Sequence, residues 1–316
     1  MSTSPAVSVV GVDVSKQTLD VHLLPEGRWR HFTNDPAGRQ ALLQALAGHP
    51  VQCVALEATG GYQMALAVDL DAAGLPVAVL NPRWIRDFAR AAGLLAKTDK
   101  IDARAIAVYA HKMQPQPRGV PDEMARRLQT LVARRRQVQA MHCAEANRLE
   151  HVDDRDVRRS IRTVLRSLRR QIDRLDQLLD ETIRRCPRRC RTVQQIESVP
   201  GLGRQTAILL VTRLPELGRM NRQEVAAMVG VAPINRDSGQ WRGQRTIGGG
   251  RADIRAGLYM PVLSAIRHNP VLRHVYRRLL DQGKKKMVAV VACMRKLLVI
   301  LNTMIKNGQC WKPKTT

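Results

Sequence analysis

Acidic residues are scarce in this sequence. Only 27 aspartates and glutamates stand against 52 lysines and arginines over 316 residues, which gives a net charge of +25 and a sequence pI near 11.1. So large a positive excess indicates a polyanionic partner. Of the basic residues 41 are arginines, whose guanidinium fork matches phosphate oxygens better than an ammonium group does. Nucleic acid is therefore favoured over a membrane surface.

The usual signs of a secreted or membrane protein are also lacking. The six cysteines are scattered, and no apolar signal segment precedes the run VSVVGVDVS, so we expect a reducing, cytoplasmic compartment. The longest apolar run, MVAVVACMRKLLVIL from Met287, is interrupted by Arg295 and Lys296 and predicts a buried helix. Cys186 and Cys190 lie four residues apart, but no second ligand pair follows at zinc spacing, so a zinc site is the minor alternative.

Length and pattern together predict three regions. A chain of this length can form two or three domains, and the patterns change near residues 118 and 190, which gives the regions 1–118, 119–190 and 191–316. The first region alternates short β-rich runs with helical stretches in the order βββαβαβα, which predicts a ribonuclease H-like α/β domain. The third region opens with SVPGLGRQTAILLV, has a centre rich in glycine and arginine, and is predicted to be mainly α-helical.

The middle region predicts a hairpin of two long helices that pack as a coiled coil. Residues 121–190 contain no glycine, 18 arginines and 11 acidic residues. Leu128, Leu131 and Val138 lie on one stripe of the earlier helix. In the later helix, apolar residues recur at heptad-like spacings of three and four: Ile161, Leu165, Leu168, Ile172, Leu175, Leu179 and Ile183. Each helix would be roughly 40 to 50 Å long at about 1.5 Å per residue. A coil of this kind favours at least a dimer.

Four acids of the first region are candidates for a metal site. Asp13 and Glu57 lie at strand ends, and Asp99 and Asp102 are spaced i, i+3 on a helix. In a ribonuclease H-like sheet the first and fourth strands are neighbours and the last helix crosses beside them, so these carboxylates can converge. Such a cluster requires a divalent cation, and Mg²⁺ prefers oxygen ligands. Two ions about 3.5 to 4 Å apart would stabilise the attacking and leaving oxygens of phosphoryl transfer. Taken singly, each acid is more often structural.

The stretch NRDSGQWRGQR carries the candidate nucleophile Ser238. On its own this serine is more typical of a turn or a helix cap. A catalytic serine needs a proton acceptor and positive charge for the phosphate it attacks. His268, the closest histidine, is thirty residues away, so the base would come from elsewhere, and the four acids are one candidate. The candidate phosphate-binding arginines are Arg236, Arg242, Arg245, Arg251 and Arg255.

Other candidate nucleic-acid contacts lie on both sides of this serine. The turn PGLG, with Gly201 and Gly203, is similar to a helix-hairpin-helix turn whose amides face a phosphate, and a plain turn is equally compatible. The stretch GGGRADIRAG, residues 248–257, is either a phosphate-facing segment or a hinge. Trp241 is predicted to stack on a base or to pack beneath its loop.

Several ordered blocks together resemble the DEDD-type insertion-sequence transposases, a family that includes the Piv DNA invertases and the bridge-RNA-guided recombinases. These blocks are GVDVSK, LEATGGY and KTDKIDA, then SVPGLG, GVAP and DSG with spaced glycines, and they extend from about residue 8 to 305. The resemblance implies a RuvC-like N-terminal domain and a C-terminal transposase domain that cut and rejoin DNA. It implies that Asp13, Glu57, Asp99 and Asp102 bind Mg²⁺, with Mn²⁺ as a substitute, and that Ser238 is the covalent nucleophile.

The same resemblance implies the partners. These are donor and target DNA and a noncoding bridge RNA. The coil itself favours a homodimer, strand exchange between two duplexes favours a tetramer in the active complex, and no membrane partner is expected. We expect a bacterial cytoplasmic protein that associates with the nucleoid. Three alternatives stay open: a Piv-like invertase without an RNA guide, a junction-resolving nuclease that uses the acids and water, and a non-catalytic nucleic-acid-binding scaffold.

Overall fold

The computed structural model describes residues 8–94, 98–117 and 119–312. Internal contacts divide the chain into two compact units, Met1–Pro121 and Asp122–Thr316. The first unit is an α/β domain and the second is mainly helical.

The first unit contains a five-stranded sheet in the order β3-β2-β1-β4-β5. β2 is antiparallel to β1 and β3, whereas β4 is parallel to β1 and β5. The strands are β1 Ser8–Val14, β2 Thr18–Leu24, β3 Arg28–Thr33, β4 Val51–Glu57 and β5 Val77–Leu80. The helices are α1 Pro36–Leu46, α2 Gln63–Ala72, α3 Pro82–Ala91 and α4 Asp99–Met113. The predicted order βββαβαβα and the predicted neighbouring of the first and fourth strands are both present.

Helices cover both faces of this sheet because its central strands are apolar on both sides. Val10 and Val12 of β1 face a core that contains Leu42 of α1 and Leu66 of α2. Val9 and residues of β4 and β5 face a second core with α3 and α4. The middle of the sheet is therefore buried on both faces, and polar residues lie where the strands end.

The second unit opens with two long helices, α5 Glu123–Glu150 and α6 Arg155–Arg184. Asp154 caps the start of α6 by accepting hydrogen bonds from two backbone amides. Helix α6 then packs along α5. The Arg135 Nε–Asp176 Oδ1 distance is 2.5 Å, which fixes their register. The seam residues Leu128, Val138, Ile172 and Leu179 are buried, as predicted. The pair is a helical hairpin, and its coiled-coil geometry stays a prediction.

Six shorter helices and a small β-ribbon complete the second unit. The helices are α7 Pro187–Glu197, α8 Arg204–Arg213, α9 Arg222–Val229, α10 Ala252–His268, α11 Pro270–Asp281 and α12 Lys286–Lys306. The ribbon strands are β6 Pro233–Ile234, β7 Asp237–Ser238, β8 Trp241–Arg242 and β9 Thr246–Ile247. The prediction of a mainly helical third region agrees with this architecture.

Two helices of the second unit, α10 and α12, bear on the sequence expectations. Helix α10 begins at Ala252, so the segment GGGRADIRAG, expected to be phosphate-facing or a hinge, is half helical. Glycine suits position 257 because α10 lies close to α8 there. A Cβ on Gly257 would lie 2.4 Å from Cδ2 of Leu209 on α8. By length and composition α12 could cross a membrane, but half of its most apolar stretch is buried inside the protein. Cys293, Leu297 and Leu301 of α12 are fully buried in the core of the second unit.

Candidate active site

The acids Asp13 and Glu57 end two neighbouring parallel strands. Val12 of β1 pairs with Leu56 of β4, so the next residue of each strand carries its carboxylate at the same edge of the sheet. Because side chains alternate along a strand, Asp13 shares a face with Val9, which packs against the core that contains α3 and α4. The sequence thus brings two acids together through strand register alone.

Gly11 allows α4 to approach this edge closely. A Cβ at Gly11 would lie 2.3 Å from the backbone nitrogen of Ala107 and 2.5 Å from the carbonyl oxygen of Ala103, both on α4. No side chain fits in that space, so β1 and α4 are in backbone contact. The first turn of the same helix carries Asp99 and Asp102, and Thr98 caps it by accepting from the Ile101 amide.

The electrostatics of Asp13 place the other three predicted acids within charge–charge range of it. Burial, followed by repulsion from the carboxylates of Asp102, Glu57 and Asp99, raises the pKa of Asp13 to about 6. Because like charges disfavour ionisation only at short range, all four acids share one neighbourhood. The described residues thus include all four acids that the sequence analysis selected.

Oxygen-only donors of this kind suit a hard divalent cation such as Mg²⁺. Among the residues that the structure describes, no three His, Cys, Asp or Glu side chains form a ready coordination shell. The acids therefore lie within electrostatic range of one another without being drawn together. Mutual repulsion of the charged carboxylates opposes closer contact, and a bound cation would relieve it.

Asp20 is a fifth acid at this edge, and the sequence analysis did not select it. It pairs directly with Asp13 across β1 and β2, contributes to the raised pKa of Asp13, and is only 4% exposed. Its Oδ1 accepts a hydrogen bond from Trp29 Nε1 at 3.2 Å and lies 3.1 Å from His31 Nδ1. The Nζ of Lys100 lies 5.5 Å from the ring centroid of Trp29. The sequence signal that could have identified Asp20 is the presence of an acid within the apolar run TLDVHLL.

Ser238 lies at the outer end of the β-ribbon. Strands β6 and β9 pair at its base, and β7 and β8 pair beyond them, with Ser238 opposite Trp241. Gly239 takes φ +54°, as the first central residue of a two-residue hairpin turn requires. Asp237 is the neighbour of Ser238 in β7, so its side chain points to the opposite face. All four ribbon strands are exposed, and Ser238 is accessible to a large substrate.

The base of the ribbon is held by close backbone contacts and by arginines. A Cβ at Gly230 would lie 2.2 Å from the Gly249 carbonyl oxygen, and one at Gly250 would lie 2.4 Å from the Gly230 nitrogen. Nη1 of Arg255 donates to the carbonyl oxygens of Val229 and Gly249, both at 3.0 Å. These contacts fix where the two ends of the ribbon leave the helical core.

The predicted phosphate-binding arginines fall into two groups. Arg236, Arg242 and Arg245 are exposed on the ribbon, where their guanidinium groups face solvent. Arg251 instead donates to both carboxylate oxygens of Glu216, at 2.6 and 2.7 Å, and Arg255 binds carbonyl oxygens at the ribbon base. The structure therefore leaves three of the five exposed on the ribbon that carries Ser238 and uses the other two in internal contacts.

The aromatic and glycine residues predicted to contact nucleic acid are partly at the surface and partly packed against other helices. Trp241 is 63% exposed, and its ring lies so close to Gly243 that a Cβ there would be 2.6 Å away. Gly201 packs against α10, since a Cβ at this position would lie 2.4 Å from the Cα of Ala265. Gly203 begins α8 in open space. Of the turn PGLG, Gly203 is the exposed residue, Pro200 and Gly201 are partly exposed, and Leu202 is buried.

Two transposase family models and several known proteins are similar to this chain. Residues 10–153 match the family model of the DEDD-type IS110 transposases, and residues 193–277 match that of the IS116/IS110/IS902 transposase family. The pilin gene-inverting proteins of Moraxella bovis and Moraxella lacunata are 26% and 27% identical over 310 residues, which cover 95% of this chain and 96% of each relative. An uncharacterized 42 kDa protein of insertion element IS900 from Mycobacterium paratuberculosis is 32% identical over 130 residues, 40% of this chain and 32% of that protein.

A solved structure of T. thermophilus RuvC in complex with a Holliday junction substrate is 18% identical. The match covers 35% of this chain and 99% of RuvC with a TM-score of 0.28. The description of the first unit as an α/β domain therefore rests on its own strand order and not on this match. The two family models together span more than two thirds of the sequence, and the first extends through α5 of the helical hairpin. The chain belongs to the IS110-type family of transposases and recombinases.

Proposed function

We propose that this recombinase cuts and rejoins the DNA of an insertion sequence through a phosphoserine intermediate, with Ser238 as nucleophile and the acids of the first unit as the metal site. One observation carries the proposal: the acids Glu57, Asp99 and Asp102 all raise the pKa of Asp13. Acidic residues are few in this protein, yet Glu57 on the sheet and Asp99 and Asp102 on α4 lie within electrostatic range of Asp13. Such a concentration of negative charge is costly unless a cation neutralises it.

In this proposal the acids hold Mg²⁺, or Mn²⁺ in its place, at the scissile phosphate. The bound ions would stabilise the charge that develops on the attacking and leaving oxygens. The rigid sheet fixes Asp13 and Glu57, and the capped first turn of α4 presents Asp99 and Asp102. Asp20 faces Asp13 from the neighbouring strand and adds a fifth negative charge to this site.

Ser238 supplies the attacking oxygen. Its Oγ forms a bond to phosphorus, the bond from phosphorus to one deoxyribose oxygen breaks, and that oxygen leaves with a proton. The serine proton passes to a base outside the ribbon, since Asp237 faces the opposite side of β7. Arg236, Arg242 and Arg245 would stabilise the negative charge on the phosphate oxygens. Rejoining is the reverse step: the hydroxyl of a second DNA end attacks the phosphoserine, and Ser238 regains its proton.

The acids and the serine belong to different compact units, and this supports a site completed only on assembly. We propose that donor and target DNA are brought together by a homodimer through the hairpin and by a tetramer in the active complex. A noncoding bridge RNA would select both DNA sites. In the complete complex the acids of one chain would meet Ser238 of the same or of another chain.

DNA inversion is a second candidate function. The two relatives that extend over almost the full length of this chain are named pilin gene-inverting proteins. Inversion would use the same acids and the same serine but would join ends within one DNA molecule, without an RNA guide. The two candidates therefore differ in their partners and share their chemistry.

The decisive experiment is a search for a covalent protein–DNA adduct. The protein is incubated with Mg²⁺, labelled donor DNA and the RNA transcribed beside its gene, and is then denatured. We expect a denaturant-stable adduct from the wild type and from Ser167→Ala, which removes another exposed serine. We expect none from Ser238→Ala or Glu57→Gln. An adduct from Ser238→Ala would overturn the serine assignment, and cleavage without any adduct would favour a nuclease that uses water.

Omitting the RNA separates the two candidate functions. Guided transposition requires that the adduct depend on the RNA. An adduct that forms equally well without RNA, on DNA that carries two inverted sites, would favour the inversion reading.

A further inference from the structure

We infer that the outer half of α6 binds the phosphate backbone of double-stranded DNA through a row of five arginines. This arginine row consists of Arg155, Arg159, Arg162, Arg166 and Arg169. The inference rests on the proposed function only in taking DNA as the partner. It concerns a surface that lies outside the acids and outside the serine ribbon.

The row is a straight stripe on one side of a helix. Its members are spaced by four, three, four and three residues, which places them on one face, about 21 Å long at about 1.5 Å per residue. All five are exposed, whereas Ile161 and Ile172 on the hairpin side of α6 are buried. Two shallow depressions on this face are lined by Arg155, Arg159, Arg162 and Arg166 and by Arg166, Arg169 and Arg170.

Charge is distributed unequally along α6. The outer half, residues 155–170, contains seven arginines and one acid, and the inner half, residues 171–184, contains two arginines and four acids. The acids of the inner half are used in internal contacts, as in the ion pairs Arg135–Asp176 at 2.5 Å and Arg204–Asp180 at 2.7 Å. A helix that served only as a spacer would have no reason to separate its charges in this way.

Most of the row has no carboxylate partner. Within the described part of the chain, Arg155, Arg162 and Arg166 have no acidic side chain within 4 Å. Arg159 lies 3.9 Å from Asp156, and Arg169 lies 3.3 Å from Asp173, where the row ends. Neighbouring guanidinium groups repel one another, and a polyanion laid along the stripe would relieve this repulsion.

Duplex DNA fits this surface better than a second copy of the chain does. Two copies of the row facing each other would place like charges in contact, which destabilises an interface. A duplex segment of about 21 Å carries about 12 phosphate charges, more than enough for five arginines. A straight, rigid stripe also matches a regular backbone, and phosphate contacts of this kind require no particular base sequence.

The salt dependence of DNA binding tests this assignment. The row variant combines Arg155→Gln, Arg162→Gln and Arg166→Gln. The matched control combines Arg127→Gln, Arg136→Gln and Arg174→Gln, which are exposed arginines of α5 and α6 outside the row. Both variants lose three charges and keep residues with good helix propensity. Affinity for a labelled non-specific duplex is measured in EDTA across a range of salt concentrations, and circular dichroism checks the fold.

We expect the slope of log K against log salt to become shallower by about 2 to 3 in the row variant, because each phosphate contact contributes about 0.9. We expect a change below about 1 in the control variant. Equal changes in the two variants, or none in either, would overturn the proposal. The same titration with a duplex RNA of equal length forms a second arm, and a loss confined to RNA would overturn the assignment to DNA.

This outcome is independent of the chemistry, because EDTA removes any metal-dependent step. A missing covalent adduct together with a shallower slope in the row variant would count against the serine mechanism alone. An adduct together with an unchanged slope would count against the arginine row alone.

Discussion

The acid edge of the first unit and the serine ribbon of the second unit are built on opposite principles. The acids lie at the end of buried strands, where strand register and the backbone contact at Gly11 determine their positions. Ser238 lies on paired strands of two residues each, all exposed and fixed only at their base. The first arrangement fixes the positions of the acids, whereas the second exposes Ser238 to a large substrate. A mutation should therefore affect folding at the acid edge and chemistry at the ribbon.

The largest expected effect is a purely chemical one at the ribbon. Ser238→Ala should reduce strand cleavage by about 10³-fold or more, as expected when a nucleophile is removed. Its free energy of unfolding should change by less than about 0.5 kcal/mol, because the side chain is exposed. Cleavage assays and urea unfolding measure the two effects. A large loss of stability would contradict the contrast between the two regions.

At the acid edge, Gly11→Ala should affect folding and chemistry together. The added Cβ would lie 2.3 Å from the Ala107 nitrogen, so β1 and α4 must separate. We expect a loss of about 1 to 3 kcal/mol in the free energy of unfolding and about a 10²-fold loss of metal-dependent cleavage. Gly119→Ala is the matched control, because a Cβ there would meet open space. Equal effects of the two substitutions would refute the role of the close contact.

The pH dependence of stability distinguishes the two regions further. The pKa of Asp13 is raised to about 6 from an ordinary value of 3.8, so folding favours its protonated form. The metal-free protein should therefore lose stability as the pH rises from about 4 to 7, by about 2 kcal/mol after allowance for partial exposure. Asp13→Asn should remove this dependence, and Mg²⁺ should oppose it in the wild type. Thermal unfolding at several pH values, with and without Mg²⁺, measures both effects.

The smallest expected effect separates the base of the ribbon from its outer part. Arg255→Gln removes hydrogen bonds to carbonyl oxygens at the base and should cost about 1 to 2 kcal/mol of stability and about tenfold in cleavage. Arg242→Gln should leave stability unchanged and weaken only DNA binding. If Arg242→Gln lowered stability as much as Arg255→Gln does, the assignment of the two arginines would be wrong.

Local patterns in the sequence were sufficient to predict much of this molecule. The alternation of apolar runs predicted βββαβαβα, and a strand end at Asp13 with the i, i+3 pair Asp99 and Asp102 predicted acids that the structure brings together. Asp20 was missed because its position opposite Asp13 depends on strand pairing, which no single segment reveals. A part for Asp20 in the metal site stays a proposal.

The arginines near the serine were harder to distinguish from sequence. A guanidinium group binds a phosphate, a carboxylate or a carbonyl oxygen with the same donors, so residue type alone does not identify its partner. Arg251 bonds Glu216, and Arg255 bonds carbonyl oxygens 26 and 6 residues away in the chain. Only the tertiary structure separates these two from Arg236, Arg242 and Arg245.

The position of Ser238 also has a consequence for the safety of the host chromosome. Its neighbour Asp237 faces the other side of the strand, and the nearest histidine in the sequence is His268. In our proposal, a chain that meets DNA alone presents an exposed hydroxyl without a proton acceptor from its own strand, and it leaves phosphodiesters uncut. In our proposal reactivity belongs to the assembled complex, and a stray molecule cannot nick the chromosome it travels on.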